Sequence, residues 1–299
     1  MTPQCFVRIT NPRHVGQVVF RPLGPLLLLA MNTLDLLQSL RRVAALVLFG
    51  AGIATMPHLS KAAAPDKATI VLVHGAFAES SSWNEVIRIL SAKGYSVVAV
   101  ANPLRGVKSD AEEVSAAMSS IQGPVVLVGH SYGGSVISNA SASPGRVKAL
   151  VYVAAFAPEA GETAAALSAK FPGSTLGDAL AAPVALANGG VELFIRTERF
   201  RDQFAADVPA RAASLMAATQ RPITEAALKE ASGQPLWKST PSWFVYGDQD
   251  RNIPAAALAF MAERASSRQT IVVRGGSHVV MVSHPNTVAS LIERAAMQQ

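Results

Sequence analysis

The chain has 299 residues, half of them apolar, and a formal net charge of +6 at pH 7. That apolar content excludes a disordered chain and is ample for a large hydrophobic core in one domain or two. The charge sits at the start: Arg8, Arg13, Arg21, Arg41, Arg42 and Lys61 face only Asp35 within residues 1–64, a net +5 that leaves +1 for the rest, so the body has no electrostatic reason to bind nucleic acid.

Arg41-Arg42 precede the uncharged apolar run Val43 to Ala54. Its twelve residues fall short of the roughly 20 that a membrane span needs but suit the core of a signal peptide. Ser60-Lys61-Ala62 meets the small-x-small rule and predicts cleavage before Ala63; Ala62-Ala63-Ala64 also meets it, but Pro65 would then follow the cut. Residues 1–62 therefore read as a leader, long if counted from Met1 and of ordinary length if the natural start is Met31. Leu40-Arg41-Arg42-Val43 is similar to a twin-arginine signal. The expectation is a periplasmic or secreted protein with no stable membrane span in its mature form, an uncleaved anchor being the alternative. The single cysteine, Cys5, falls in this leader, so the mature chain would hold no disulfide, no thiolate metal ligand and no cysteine nucleophile.

From Ala68 onward, short β-branched runs alternate with amphipathic stretches. Ala68 to Val73 reads as a buried strand and leads into His74-Gly75-Ala76-Phe77. Ser82 to Lys93 reads as a helix stopped at Gly94, Tyr95 to Val100 as a strand stopped by Asn102-Pro103, and Asp110 to Ile121 as a second helix. Pro124 to Val128 is a third strand, and it runs directly into Gly129-His130-Ser131-Tyr132-Gly133-Gly134, after which Val136-Ile137 opens a helical pattern. Val147 to Ala155 gives a fourth strand. Across about 158–238 the rhythm changes to a helical composition with no convincing strand, broken by Pro172, Gly173, Pro183, Gly189, Gly190, Pro209 and Pro222, which reads as an inserted helical cap. Ser242 to Tyr246 and Thr270 to Val273 complete six strands. Continuous apolar strands separated by helices predict an α/β domain over 63–299, its mostly parallel sheet flanked by helices.

The six-residue segment around Ser131 fits G-x-S-x-G, set between a strand and a helix. A turn this tight thrusts the hydroxyl above the sheet, and side chains at Gly129 and Gly133 would clash within it. A serine hydroxyl needs a base. His278, just after the last strand, is the candidate; His284 precedes Pro285 and suits surface or capping duty, and the side chain of His130 would point away. The group that orients the imidazole is expected in Tyr246-Gly247-Asp248-Gln249-Asp250, which closes the fifth strand and gives the chain order Ser, Asp, His; Asp250, three after Gly247, is preferred, and Asp248 suits a solvated loop carboxylate or a turn cap. Two backbone amides must receive the oxyanion. Tyr132 is one; the other comes from the loop after the first strand, Ala76 first and Phe77 second. The six histidines are scattered, no metal-ligand spacing is present, and no phosphate-binding glycine loop occurs, so neither metal nor cofactor is expected.

Val71-Leu72-Val73-His74-Gly75-Ala76-Phe77, Ser82-Trp83, Val128 to Gly134, Pro241-Ser242-Trp243 and Ser277-His278-Val279-Val280 together resemble the α/β-hydrolase superfamily, and within it the branch of bacterial aryl and pyrethroid esterases, plant methyl esterases and hydroxynitrile lyases. The resemblance covers about residues 69–296 and implies an eight-stranded sheet with the first two strands short or absent, and a cap between strands 6 and 7. It also implies that a lyase of this branch would carry Lys after the catalytic histidine, where this chain has Val279.

The leading expectation is a serine carboxylesterase that hydrolyses a small hydrophobic ester through an acyl-serine. The alternatives are a C–C lyase or amidase on the same fold, and a non-catalytic binding protein. Of the apolar cap residues Leu176, Leu180, Val184, Leu193, Phe194, Phe200, Phe204, Leu215 and Met216, two or three are expected to face the substrate and the rest to pack. Trp83, Trp237 and Trp243 are expected to be packing residues.

Overall fold

Thr69–Val73 forms β1, a strand buried along its whole length. An unbroken apolar run is what a strand needs when both faces are covered. The computed structural model describes residues 67–187 and 189–298; the expected leader, its cleavage site and the Met31 start lie outside the described residues. Five further strands join β1 in one sheet: β2 (Val97–Val100), β3 (Val125–His130), β4 (Val147–Val153), β8 (Ser242–Gly247) and β9 (Gln269–Val273). Their spatial order is β2-β1-β3-β4-β8-β9 and every pairing is parallel. This is the six-strand form of the expected sheet.

Parallel neighbours cannot be joined by a hairpin, so each connection crosses over the sheet. Helix α1 (Asn84–Ala92) links β1 to β2, α2 (Val107–Ser119) links β2 to β3, and α3 (Tyr132–Ser138) links β3 to β4. After β2 the chain returns to the other side of β1, so the carboxyl ends of β1 and β3 flank a switch in strand order. Such a switch opens a crevice where ligands bind in sheets of this kind.

Between β4 and β8 lies the cap: α4 (Ala164–Ala169), α5 (Leu176–Ala179), β5 (Val184–Ala185), β6 (Val191–Leu193), α6 (Thr197–Phe204), α7 (Ala210–Thr219), β7 (Ile223–Thr224) and α8 (Glu225–Lys229). The expectation of a strandless cap is corrected, because β5, β6 and β7 form a small antiparallel sheet. Strands of two or three residues are too short to show an alternating pattern in the sequence. The chain closes with α9 (Ala255–Arg264), α10 (Val280–Ser283) and α11 (Pro285–Met297), the last lying across β3, β4 and β8 and against α1. No described helix is long and apolar enough to cross a membrane.

Element boundaries moved where tertiary contacts intervene. The first helix opens as a 3-10 turn over Ser80–Trp83 and is stopped by Gly94 at φ 78°. The second begins at Val107 rather than Asp110, because the Asp110 carboxylate turns inward and accepts the Arg105 amide at 3.1 Å. The fourth strand ends at Val153, where Ala154 adopts φ 45°.

Candidate active site

Between the end of β3 at His130 and the start of α3 at Tyr132, one residue makes the turn. Ser131 takes φ 53° and ψ −123°, a conformation costing a side-chain-bearing residue about 1–3 kcal/mol. It is held by its neighbours: its N–H donates to Val153 O at 3.2 Å, and its carbonyl accepts from Gly134 at 3.0 Å and Phe156 at 3.1 Å. A Cβ on Gly129 would lie 2.6 Å from Gly133 O, and one on Gly133 would lie 2.5 Å from Val73 O. The glycines allow backbone to touch backbone.

The loop after β1 runs against this turn, for a Cβ on Gly75 would sit 2.6 Å from Ser131 Cβ. The two alternatives for the second amide separate here. The Phe77 N–H donates to Arg221 O at 2.9 Å and is spent, whereas the amides of Ala76 and Tyr132 make no hydrogen bond among the described residues. Both residues border the same cavity. Tyr132 is anchored from behind, its hydroxyl donating to Asp110 Oδ2 at 3.0 Å. Burial raises the Asp110 carboxyl above the usual range, and burial, followed by the Asp110 charge, raises the Tyr132 phenol.

His74 fastens the β1 loop from inside. Its Nε2 accepts the Asn102 amide at 3.1 Å, so Nδ1 carries the proton and donates to Gly75 O at 2.9 Å; the Asn102 side chain returns a bond to His74 O at 2.9 Å. Burial lowers its pKa to about 4. Between that value and the roughly 6.5 of an unfolded histidine, the unfolded state binds more protons, so stability falls as the pH drops through this window, by roughly 3 kcal/mol from this residue. Urea midpoints measured from pH 7 to 4 should show the decline, and His74→Asn should flatten part of it; an unchanged slope would refute the assignment.

His278 and Asp250 come together through the loops that follow β9 and β8. A Cβ on Gly247 would fall 2.0 Å from Gly276 O, and the two loops abut because neither carries a side chain there. His278 Nδ1 lies 2.6 Å from Asp250 Oδ2, with side-chain exposures of 1% and 0%. The other carboxylate oxygen of Asp250 accepts the amides of Asn252 at 2.8 Å and Ile253 at 3.0 Å. A carboxylate only accepts, so Nδ1 bears the hydrogen and Nε2 keeps its lone pair. Asp248 is exposed and serves the loop instead, accepting the Gly275 amide at 2.7 Å.

Ser131 and His278 border one cavity of about 500 Å³ together with Ala76 and Tyr132, and among the described residues no Asp, Glu, Lys or Arg borders it. The Ser131 hydroxyl makes no hydrogen bond among the described residues; bonds of this kind are often long until substrate tightens them. No group of histidine, cysteine, aspartate and glutamate side chains among the described residues is arranged to hold a metal ion.

A sequence model of the alpha/beta hydrolase family matches residues 70–291. This chain belongs to that family. It is 27% identical over 241 residues to a pyrethroid hydrolase of Sphingobium wenxiniae, covering 75% of this chain and 85% of the relative. It is 24% identical over 237 residues to an alpha-hydroxynitrile lyase of Arabidopsis thaliana, covering 72% and 92%. In structure it is similar to polyneuridine aldehyde esterase, with a TM-score of 0.66 at 18% identity, covering 77% of this chain and 99% of the other.

In this hydrolase, three of the nine singled-out cap residues border the cavity: Leu176, Leu180 and Phe204. Leu193 and Phe200 are buried in the cap, while Val184 and Leu215 are exposed. The three tryptophans are buried and stand off the cavity. His284 stands at the N-cap position just before α11, although its side chain forms no cap hydrogen bond. His130 is the residue that sequence reasoning undervalued. Its ring packs 4.8 Å from that of His278, and its Nε2–H donates to His278 O at 3.2 Å. Burial first, and His278 second, hold its proton affinity well below the usual imidazole range, so it is a neutral prop. Its place at the last position of a buried strand was the one available signal.

Proposed function

We propose that this hydrolase is a serine carboxylesterase for uncharged hydrophobic esters. The observation that carries the reading is the buried His278–Asp250 pair opening, beside Ser131 and two unspent amides, onto a cavity without a charged carboxylate, ammonium or guanidinium group. Ser131 Oγ attacks the ester carbonyl carbon while its proton passes to His278 Nε2. The Ala76 and Tyr132 amides receive the developing oxyanion, a contribution worth about 10²–10³ in rate per donor. The tetrahedral adduct collapses, the C–O bond breaks, and the departing alkoxide takes the proton from His278. Water, deprotonated by His278, then attacks the acyl-serine; the second adduct collapses with cleavage of the acyl–Oγ bond, His278 returns the proton to Ser131 Oγ, and the acid leaves. Asp250 holds the imidazole in the required tautomer throughout. The cavity volume of about 500 Å³ lies within the roughly 300–1,000 Å³ typical of small-molecule sites, and its apolar wall favours hydrophobic acyl or alcohol groups.

The relative named as a hydroxynitrile lyase keeps C–C cleavage in view. Against it stands Val279, buried beside His278 where the resemblance to the lyases calls for Lys. The test is a panel of p-nitrophenyl butyrate, its negatively charged hemisuccinate analogue, an anilide and a cyanohydrin, with fluorophosphonate labelling mapped by mass spectrometry. Turnover of the butyrate at least about tenfold above the charged ester is expected, a modest discrimination for an apolar pocket, with the label on Ser131. Labelling elsewhere, or faster cyanohydrin cleavage, would overturn the proposal.

A further inference from the structure

The turn between α6 and α7 carries Asp207, which borders neither the substrate cavity nor any group assigned to the reaction. It nonetheless touches the His278 segment at both ends. Its Oδ1 accepts a short hydrogen bond from the hydroxyl of Ser277, the residue immediately before His278. Its Oδ2, buried and without a hydrogen-bond partner among the described residues, faces His284 Nδ1 across 3.6 Å. His284 is the residue before α11, so the carboxylate stands astride the stretch from Ser277 to His284. Three residues earlier, the ring of Phe204 lies 5.1 Å from that of His278, and the Phe204 carbonyl is a second, weaker acceptor for Ser277 Oγ at 3.4 Å.

Backbone bonds tie this stretch on either side of Ser277, with the Gly275 amide on Asp248 Oδ1, Gly276 O accepting from the Gln249 amide and His278 O from His130 Nε2–H, while the Ser277 side chain is held from the cap. The stretch leaves β9 through Gly275, at φ 73°, and Gly276, and two adjacent glycines give the backbone ahead of His278 more freedom than any other pair would. Asp250 orients the ring about its Nδ1 but does not bind the backbone that bears it.

We propose that Asp207 is a positioning residue: it clamps Ser277 from the cap and so sets where His278 Nε2 stands relative to Ser131. The proposal rests on the esterase reading for its kinetic consequence, but the clamp itself is a structural claim. The cap thereby does more than enclose substrate, because its α6–α7 turn completes the support of the base. A misplacement of about 1 Å at a catalytic group can cost about 10²-fold in rate.

The test compares Asp207→Ala, Asp207→Asn, Ser277→Ala and the double variant Asp207→Ala/Ser277→Ala in the purified protein. Active sites are counted by fluorophosphonate titration so that any unfolded fraction drops out. Asp207→Ala is expected to lower kcat on p-nitrophenyl butyrate by about 10²-fold with KM within about twofold, because the carboxylate does not border the cavity. Asp207→Asn keeps an acceptor for the Ser277 hydroxyl and should keep most of the rate. Ser277→Ala should match Asp207→Ala, and the double variant should be no worse than either single one. A wild-type kcat per titrated site in Asp207→Ala, or losses that add in the double variant, would overturn the proposal. Hydrogen exchange of a peptide spanning 274–284 supplies a readout free of turnover. It should quicken in both alanine variants, and unchanged exchange would refute the clamp even if the wild type showed no Ser131-dependent esterase activity. Should Asp207→Ala fail to fold, the smaller change Ser277→Ala decides the matter by the same measurements.

Discussion

Ser131→Ala is expected to lower kcat for p-nitrophenyl esters by about 10⁴-fold or more, since nucleophile and base act as a unit and the loss of one removes most of what both supply. KM should change little, because the apolar wall and the two amides remain. The fold should survive. The hydroxyl makes no hydrogen bond among the described residues, so its removal leaves no donor or acceptor stranded. Alanine keeps a Cβ, and the turn keeps its φ of 53°. Ser131→Gly is equally inactive in expectation but should be more stable, by about 1 kcal/mol once glycine's greater chain entropy offsets part of the relieved strain. The measurements are turnover per mole of folded protein and urea midpoints of all three forms. An alanine variant retaining more than a few per cent of wild-type turnover would remove Ser131 from the mechanism.

Asp250→Asn should cost nearly as much, about 10⁴-fold in kcat, although it changes a single atom. Two backbone amides, those of Asn252 and Ile253, point at Oδ1. An asparagine must keep its oxygen there or leave both donors unpaired in a buried site. Its NH₂ group is then forced toward His278 Nδ1, now 2.6 Å from a carboxylate oxygen. A donor facing Nδ1 moves the ring hydrogen to Nε2, and the nitrogen that should take the Ser131 proton has no lone pair left. Asp250→Ala is expected to be less damaging to the tautomer but worse for stability, since it abandons both amides. Near-wild-type kcat in Asp250→Asn would show that the carboxylate serves only structure, and Asp248→Asn, whose carboxylate accepts from the Gly275 amide and the Gln249 side chain but not from His278, is the control.

Much of this was legible along the chain because it is local. The strain at Ser131 and the need for Gly129 and Gly133 are settled within a few residues, by backbone atoms that must touch in a turn this tight. The inner strands β1, β3, β4 and β8 announce themselves because strands covered on both faces read as continuous apolar runs, and the partly exposed edge strands β2 and β9 as short β-branched runs. His278 and Asp250 were legible by their places after the last two strands. Chain order fits Asp248 as well as Asp250, and position after Gly247 only favours the latter; the loops abutting at Gly247 and Gly276 decide which carboxylate meets the imidazole.

What the chain order could not carry is whatever depends on groups far apart in sequence. The sequence ranks Ala76 before Phe77 with little to separate them; the Arg221 carbonyl, delivered by the cap, occupies the Phe77 amide, and the Ala76 amide makes no hydrogen bond among the described residues. Nine apolar cap residues look alike in one dimension, because a helix needs an apolar stripe to dock whether or not a cavity lies beneath it, and only packing selects Leu176, Leu180 and Phe204 for the lining. The contacts of His130 and Asp207 with the His278 segment belong to the same class. Composition and periodicity determined the sheet and the serine turn, because those follow from steric rules acting between neighbours. The free amide, the cavity wall and the supports of the base were decided by the tertiary structure, because each depends on which distant groups are brought within a few ångströms.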